Sequence, residues 1–191
     1  MDGVLSFEVI MSTCTMTCLG DSITQGWHVP TGDSWPALLE SRYGLKTLNF
    51  GVSGDTTGDA LNRLDNVLTA RKDLIFIELG LNDFFMGLPV ESAAENLSRI
   101  IQAFLCQDAT VVLAGFLFRG QGSGSWEAMY HDLADKFSIL LYANIFQGLE
   151  ECNDCFFHDG IHPNSKGYSI MADEICRFIY PLLSHKGDSK S

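Results

Sequence analysis

Asp73-Leu74-Ile75-Phe76-Ile77-Glu78-Leu79 is the stretch that decides the fold. Its apolar residues run together instead of alternating, which predicts a strand buried on both faces. Such strands belong to parallel sheets with helices packed on each side. Outward from it, residues 109–115 form a second run of the same kind, and residues 13–19 a short β-branched one ending at Gly20. Leu48-Asn49-Phe50 and the weaker segment 138–142 complete five strands. The intervening segments have helical spacing. Trp35, Leu38, Leu39 and Tyr43 mark residues 34–43, opened by Ser34 and closed by Gly44. Leu61, Leu64 and Leu68 mark 59–68, and Ala94, Leu97, Ile100, Ile101 and Phe104 mark 91–105. Residues 126–137 and 164–183 follow, the latter capped by Asn164. The expectation is one α/β domain over residues 1–191, with 1–12 and 184–191 peripheral.

Composition narrows the function. The 191 residues are 46% hydrophobic, enough for a core without staples. A net charge of −12, from 24 acidic and 12 basic residues, disfavours nucleic acid and anionic lipid as partners. The first residues lack a basic n-region and a long apolar stretch, and no run reaches the roughly 18 apolar residues of a membrane span. A cytoplasmic location without membrane insertion is therefore expected. Cys14, Cys18, Cys106 and Cys176 lie in or beside apolar runs, and the six cysteines read as reduced, buried thiols. Cys152-Asn153-Asp154-Cys155 is half of a zinc motif whose other half is missing, so neither metal nor cofactor is expected.

In parallel sheets ligands sit beyond the carboxyl ends of the strands. Asp21 and Ser22 follow the first strand, Ser53, Gly54 and Asp55 the second, and Asn82 and Asp83 the third. Asp159-Gly160-Ile161-His162-Pro163 precedes the last helix. A serine hydroxyl needs a positioned base to become a nucleophile. His162, with a carboxylate three residues upstream, is the candidate base for Ser22, and Asp159 the group that orients it. The backbone N–H groups of Ser22 and Gly54 and the Asn82 amide are the expected oxyanion donors. Each motif by itself is also a turn or a cap, and His28, His131 and His158 compete as bases. His131 reads as a helix-surface residue, and Asp21 and Asp55 as loop holders through side chain-to-backbone bonds.

Those blocks resemble the SGNH, or GDSL, hydrolase superfamily over nearly the whole chain. The matching blocks are Gly20-Asp21-Ser22 with Thr24 and Gly26; residues Asn49 to Thr56, including Gly54; Gly80-Leu81-Asn82-Asp83; and Asp159-Gly160-Ile161-His162-Pro163. Ser34-Trp35-Pro36-Ala37-Leu38-Leu39 and Val52-Ser53-Gly54-Asp55-Thr56-Thr57 are similar to the thioesterase I / lysophospholipase L1 / arylesterase branch. The resemblance implies a flavodoxin-like three-layer sandwich, strand order 2-1-3-4-5, and hydrolysis of acyl esters, thioesters or lysophospholipids. Leu81 stands where many close relatives carry a second glycine, which implies a stiffer Asn82 loop.

Phe84, Phe85 and Met86, directly after Asn82, are the candidate substrate-binding residues for an apolar acyl group. Phe116-Leu117-Phe118 is a second apolar group nearby. Trp27 and Arg119 keep a carbohydrate acetylesterase open as an alternative, and a non-catalytic binding protein on this fold is another. Residues 119–125 read as a mobile, glycine-rich loop.

Overall fold

The computed structural model describes residues 14–70, 73–107, 109–117 and 123–184. Residues 1–12 and 185–191 of the expected peripheral ends, Phe118 and residues 119–122 of the glycine-rich loop lie outside the described residues, while Ser184 ends the last helix. Five strands form one parallel sheet: β1 (Thr15–Gly20), β2 (Lys46–Gly51), β3 (Leu74–Glu78), β4 (Thr110–Ala114) and β5 (Leu140–Tyr142). Their order is β2-β1-β3-β4-β5. β1 and β3 are buried along their whole length, as continuous apolar runs require, whereas the edge strands β2 and β5 are partly exposed.

Eight α-helices surround the sheet among the described residues: α1 (Ser22–Gln25), α2 (Trp35–Tyr43), α3 (Thr57–Asn62), α4 (Leu64–Leu68), α5 (Leu81–Phe85), α6 (Val90–Leu105), α7 (Ser123–Phe137) and α8 (Ser165–Ser184). α2 packs against α8, and α6 packs against both α3 and α7. Trp35 of α2, Phe76 of β3 and Tyr142 of β5 stack in sequence through the core, their ring centroids 5.2 and 5.9 Å apart. Burial of side chains of this size contributes about 1.5–3 kcal/mol each.

The expected helix over 59–68 is instead two short ones, α3 and α4, broken at Arg63. The guanidinium of that residue is committed to Asp55 and to two strand-end carbonyls, which fixes the chain at the break. Thr56 and Asp59 form a reciprocal cap at the start of α3. Ser34 does precede α2, yet its hydroxyl bonds the Thr31 carbonyl instead of capping the helix. Asn164 caps α8 as expected, accepting from the N–H groups of Lys166 and Gly167. α1 and α5 are too short for their periodicity to show in the sequence.

Two cysteine expectations are corrected. Cys152 and Cys155 are joined in a disulfide, since the turn brings their Cα atoms to 5.5 Å. Cys106 is exposed, because it caps the carboxyl end of α6 rather than continuing its apolar face. Cys14, Cys18 and Cys176 are buried, and burial pushes the Cys176 thiol up to about 11.

Candidate active site

β1 and β3 are neighbours in the sheet, but the chain visits β2 between them. The loops after these two strands therefore open onto a crevice at the carboxyl edge. Ser22 sits in the first of those loops and Asn82 in the second. Asp21 opens α1, its Oδ1 accepting the Ile23 N–H at 2.9 Å. Gly20 leaves room for this turn: a methyl group there would lie 2.1 Å from Thr24 Oγ1 and 2.8 Å from the Glu78 carbonyl. Ser22 is thus held at the first position of α1, only 8% exposed.

The Ser22 Oγ lies 2.9 Å from His162 Nε2. The other ring nitrogen, Nδ1, lies 2.7 Å from Asp159 Oδ2. Asp159 Oδ1 also accepts the N–H groups of Ile161 (2.9 Å) and His162 (3.0 Å). Partial burial pushes this carboxyl upward, but those two N–H groups and the imidazole outweigh it and hold it at about 2. The turn is closed by Phe157 N–H donating to the His162 carbonyl and by the Phe156–Pro163 bridge. The Trp27 ring lies over the His162 ring, with centroids 4.2 Å apart. His28 and His158 are exposed and outside this chain of bonds, and His131 is exposed on α7.

Among the described residues, the backbone N–H groups of Ser22 and Gly54 have no protein acceptor. Gly54 has φ +85, a left-handed conformation that glycine adopts without strain. The Asn82 amide nitrogen donates both hydrogens, to Asp21 Oδ2 at 3.0 Å and to the Asp55 carbonyl at 2.9 Å. Those bonds tie the loops after β1, β2 and β3 together. Asp83 points the other way and caps α3 through Thr57 N–H and Oγ1, at 2.8 and 2.6 Å.

Beneath Ser22 lies a group of charged side chains that the sequence reading treated only in part. Asp21 is a loop holder as expected, but it is also buried next to Glu78, which lies opposite Gly20 and takes the Thr24 hydroxyl at 2.8 Å. Burial raises Asp21 to about 7 and Glu78 well above the usual carboxylate range. Asp55 is held by an ion pair with Arg63 at 2.6 Å, a partner that sequence reading missed. For Glu78 the signal was present, a lone glutamate inside a strand buried on both faces, whereas Arg63, next to Asn62, gives none.

The residues expected to bind substrate divide. Phe84 packs against Phe116 and Trp126, with centroids 5.5 and 5.9 Å away, and serves the core. Phe85 and Met86 are exposed at the end of α5. A cavity of about 310 Å³ lies beside the Asp159–His162 turn instead, lined by Leu117, Phe146, Leu149, Phe156 and Ile161, with Asn144 and Glu150 as its polar groups. Among these only Leu117 and Ile161 belonged to groups singled out in the sequence, and Ile161 there for its neighbours rather than as a substrate contact. Among the described residues, one group of potential metal ligands comes together, Cys152, Asp154 and Cys155, and there the two sulfurs are bonded to each other. No described helix is long and apolar enough to cross a membrane.

Residues 18–170 match the family described as GDSL-like lipase/acylhydrolase. The chain belongs to this family. It is 30% identical over 169 residues to an arylesterase of Vibrio mimicus, covering 83% of this chain and 84% of that one. It is 28% identical over 178 residues to thioesterase 1/protease 1/lysophospholipase L1 of Escherichia coli K12, covering 90% and 86%. A crystal structure of TesA superposes with a TM-score of 0.82 at 28% identity, covering 88% of this chain and 99% of that chain. The expected fold class and strand order of a GDSL hydrolase are therefore both present, and the chain is an esterase-type acylhydrolase.

Proposed function

We propose that this GDSL hydrolase cleaves small acyl esters through a covalent acyl-enzyme on Ser22. The observation that carries the reading is the continuous line of hydrogen bonds from Ser22 Oγ through His162 to Asp159. His162 Nε2 takes the hydroxyl proton as Ser22 Oγ attacks the acyl carbon. Asp159 holds Nδ1–H and stabilises the imidazolium, and the Trp27 ring face adds a cation–π contribution. The tetrahedral oxyanion is met by the N–H groups of Ser22 and Gly54. It also takes a share of one Asn82 N–H in a three-centre bond, because both amide hydrogens already have acceptors. His162 then protonates the leaving alcohol or thiol, and water repeats the sequence in reverse to release the acid.

The acyl group is assigned to the cavity lined by Leu117, Phe146, Phe156 and Ile161, next to the triad turn. Phe85 and Met86, exposed after Asn82 and outside the lining of this cavity, are left for the leaving group. The names of the relatives favour aryl esters, thioesters and lysophospholipids as substrate classes.

The mechanism is tested by reacting the protein with a fluorophosphonate and mapping the adduct by mass spectrometry. The adduct is expected on Ser22, and Ser22→Ala should lower p-nitrophenyl butyrate turnover by about 10⁵–10⁶ with the fold intact. An adduct on another serine would refute the assignment. For the acyl pocket, kcat/KM should rise about fourfold per added methylene from acetyl until the cavity fills. Ile161→Ala should flatten that rise more than Phe85→Ala does. Acetate as the best substrate, with longer chains rejected, would favour a carbohydrate acetylesterase instead.

A further inference from the structure

Behind the nucleophile, the fold buries two carboxyl groups in contact. Glu78 ends β3 directly opposite Gly20 of β1. It takes the Thr24 hydroxyl at 2.8 Å, and it is buried, at 3% exposure, beside the equally buried Asp21, which follows Gly20. The oxygens of Asp21 are used as well: Oδ1 by Ile23 N–H and Oδ2 by the Asn82 amide. Two adjacent carboxyl groups this deeply buried are not both ionised without a large cost, and one that keeps its proton can donate to the other. The nearest described cation does not neutralise them. Arg63 spends its guanidinium on Asp55 and on the carbonyls of Gly20 and Phe50.

The other groups facing the pair oppose a second negative charge. Asp55 and Asp83 lie close enough to raise Asp21. Tyr130 of α7 and Tyr168 of α8 are phenols that the pair itself pushes upward, after burial has done so. An isolated carboxylate in such surroundings is costly, and the usual outcome is that it keeps its proton.

We propose that Glu78 is held as the neutral acid, donating to the Asp21 carboxylate, and that this pair positions the Asn82 amide beside Ser22. The inference rests on the catalytic reading of Ser22 and Asn82 above. Asn82 has only two tethers for its amide, Asp21 Oδ2 and the Asp55 carbonyl. Glu78 touches no reacting atom; it acts through Asp21. If Glu78 lost its proton, two adjacent negative charges would repel, and the loops bearing Ser22 and Asn82 would separate. Since the proton is held above the ordinary carboxylate range, it is lost as pH rises, so the damage falls on the alkaline side.

Glutamine mimics a neutral glutamic acid, donating to Asp21 and accepting from Thr24 without a titrating proton. The test compares the full-length wild type with Glu78→Gln and Glu78→Ala. The infrared difference spectrum of wild type against Glu78→Gln at neutral pH should contain the carbonyl stretch of a protonated carboxyl group. Alanine should lower kcat by about 10²-fold with KM little changed, and glutamine should rescue most of that loss. The alkaline fall of the wild-type rate should be absent from the glutamine variant. Combining Glu78→Ala with Asn82→Ala should cost little more than Asn82→Ala by itself, because the two act in series.

A missing protonated-carboxyl band overturns the proposal, as does glutamine being as damaging as alanine. Additive losses in the double variant overturn the positioning role. Failure to form a Ser22 adduct overturns the catalytic reading, and the positioning role with it, whereas the infrared band reports the carboxyl pair independently of turnover.

Discussion

The proposed nucleophile, Ser22, and its proposed base, His162, stand on two differently built halves of one site. The nucleophile half is tied by bonds between residues far apart in the chain: 61 residues for Asn82 to Asp21, 54 for Thr24 to Glu78, 43 for Arg63 to Gly20. Asp21, Ser22, Thr24, Asp55 and Glu78 in it are buried, and Asn82 and Arg63 are partly so. The base half is a turn in which Asp159 bonds residues two and three positions away, with His162 and Asp159 side chains 19% and 34% exposed. The first half is positioned by the fold, and damage there should spread to stability. The second is positioned by its own local geometry, and damage there should be confined to chemistry.

The largest expected effect sharpens this contrast. His162→Ala should lower kcat by about 10⁴–10⁶ while leaving the denaturation midpoint within error of the wild type. A stability loss above about 1 kcal/mol would show that the turn supports the fold and that the halves are not distinct. Next comes Arg63→Met. It leaves Asp55 without its cation and removes the guanidinium hydrogen bonds to the Gly20 and Phe50 carbonyls, although Gly20 keeps the Val52 N–H. Because the pair is only partly shielded, the expected cost is about 2–4 kcal/mol, read from urea denaturation. The corresponding exposed pair on the base half is Lys166–Asp154, and Lys166→Met should cost less than about 1 kcal/mol. Equal costs would break the comparison.

The smallest effect is acid-linked. Asp159 is held at about 2 in the folded chain, below its ordinary value. A depressed carboxyl contributes stability above the unfolded value, and this contribution is lost as pH falls toward 2. Its partial exposure limits the gain to under about 1 kcal/mol. Asp159→Asn should therefore narrow the stability difference between pH 5 and pH 2, measured by thermal unfolding. An unchanged difference would mean that the N–H groups of Ile161 and His162 do not favour the charged carboxylate.

The parts of this protein legible in its sequence are those written in local patterns. The buried strands are contiguous runs, the triad turn is five consecutive residues, and Ser22, Gly54 and Asn82 each follow a strand. The parts not legible are those created by adjacency of strands. Glu78 looks like one polar interruption in an apolar run until β3 is paired with β1 and the residue comes to rest under Asp21. Arg63 looks like a solvent-facing helix residue until its helix breaks beside Asp55. The acyl cavity draws on Leu117, Phe146, Phe156 and Ile161, from segments whose proximity no periodicity records. The disulfide went the other way. Its spacing was plain, but C-x-x-C also suits a reduced pair, and only the turn geometry distinguishes them.

The bond between Ser22 and His162 joins residues 140 positions apart. Loops of that length close late in folding, after the shorter-range contacts have formed. The segment through β4 already contains the proposed nucleophile, Ser22, and the three proposed oxyanion donors, but not the proposed base. A chain emerging from the ribosome would thus assemble a crevice able to bind a carbonyl before it could break one. Competence arrives when α8 docks against α2 and swings the final turn over the crevice. If His162 is the base, turnover in this hydrolase is a sign that synthesis has passed residue 162 and that the last helix is in place, and chains ending before it should be hydrolytically silent.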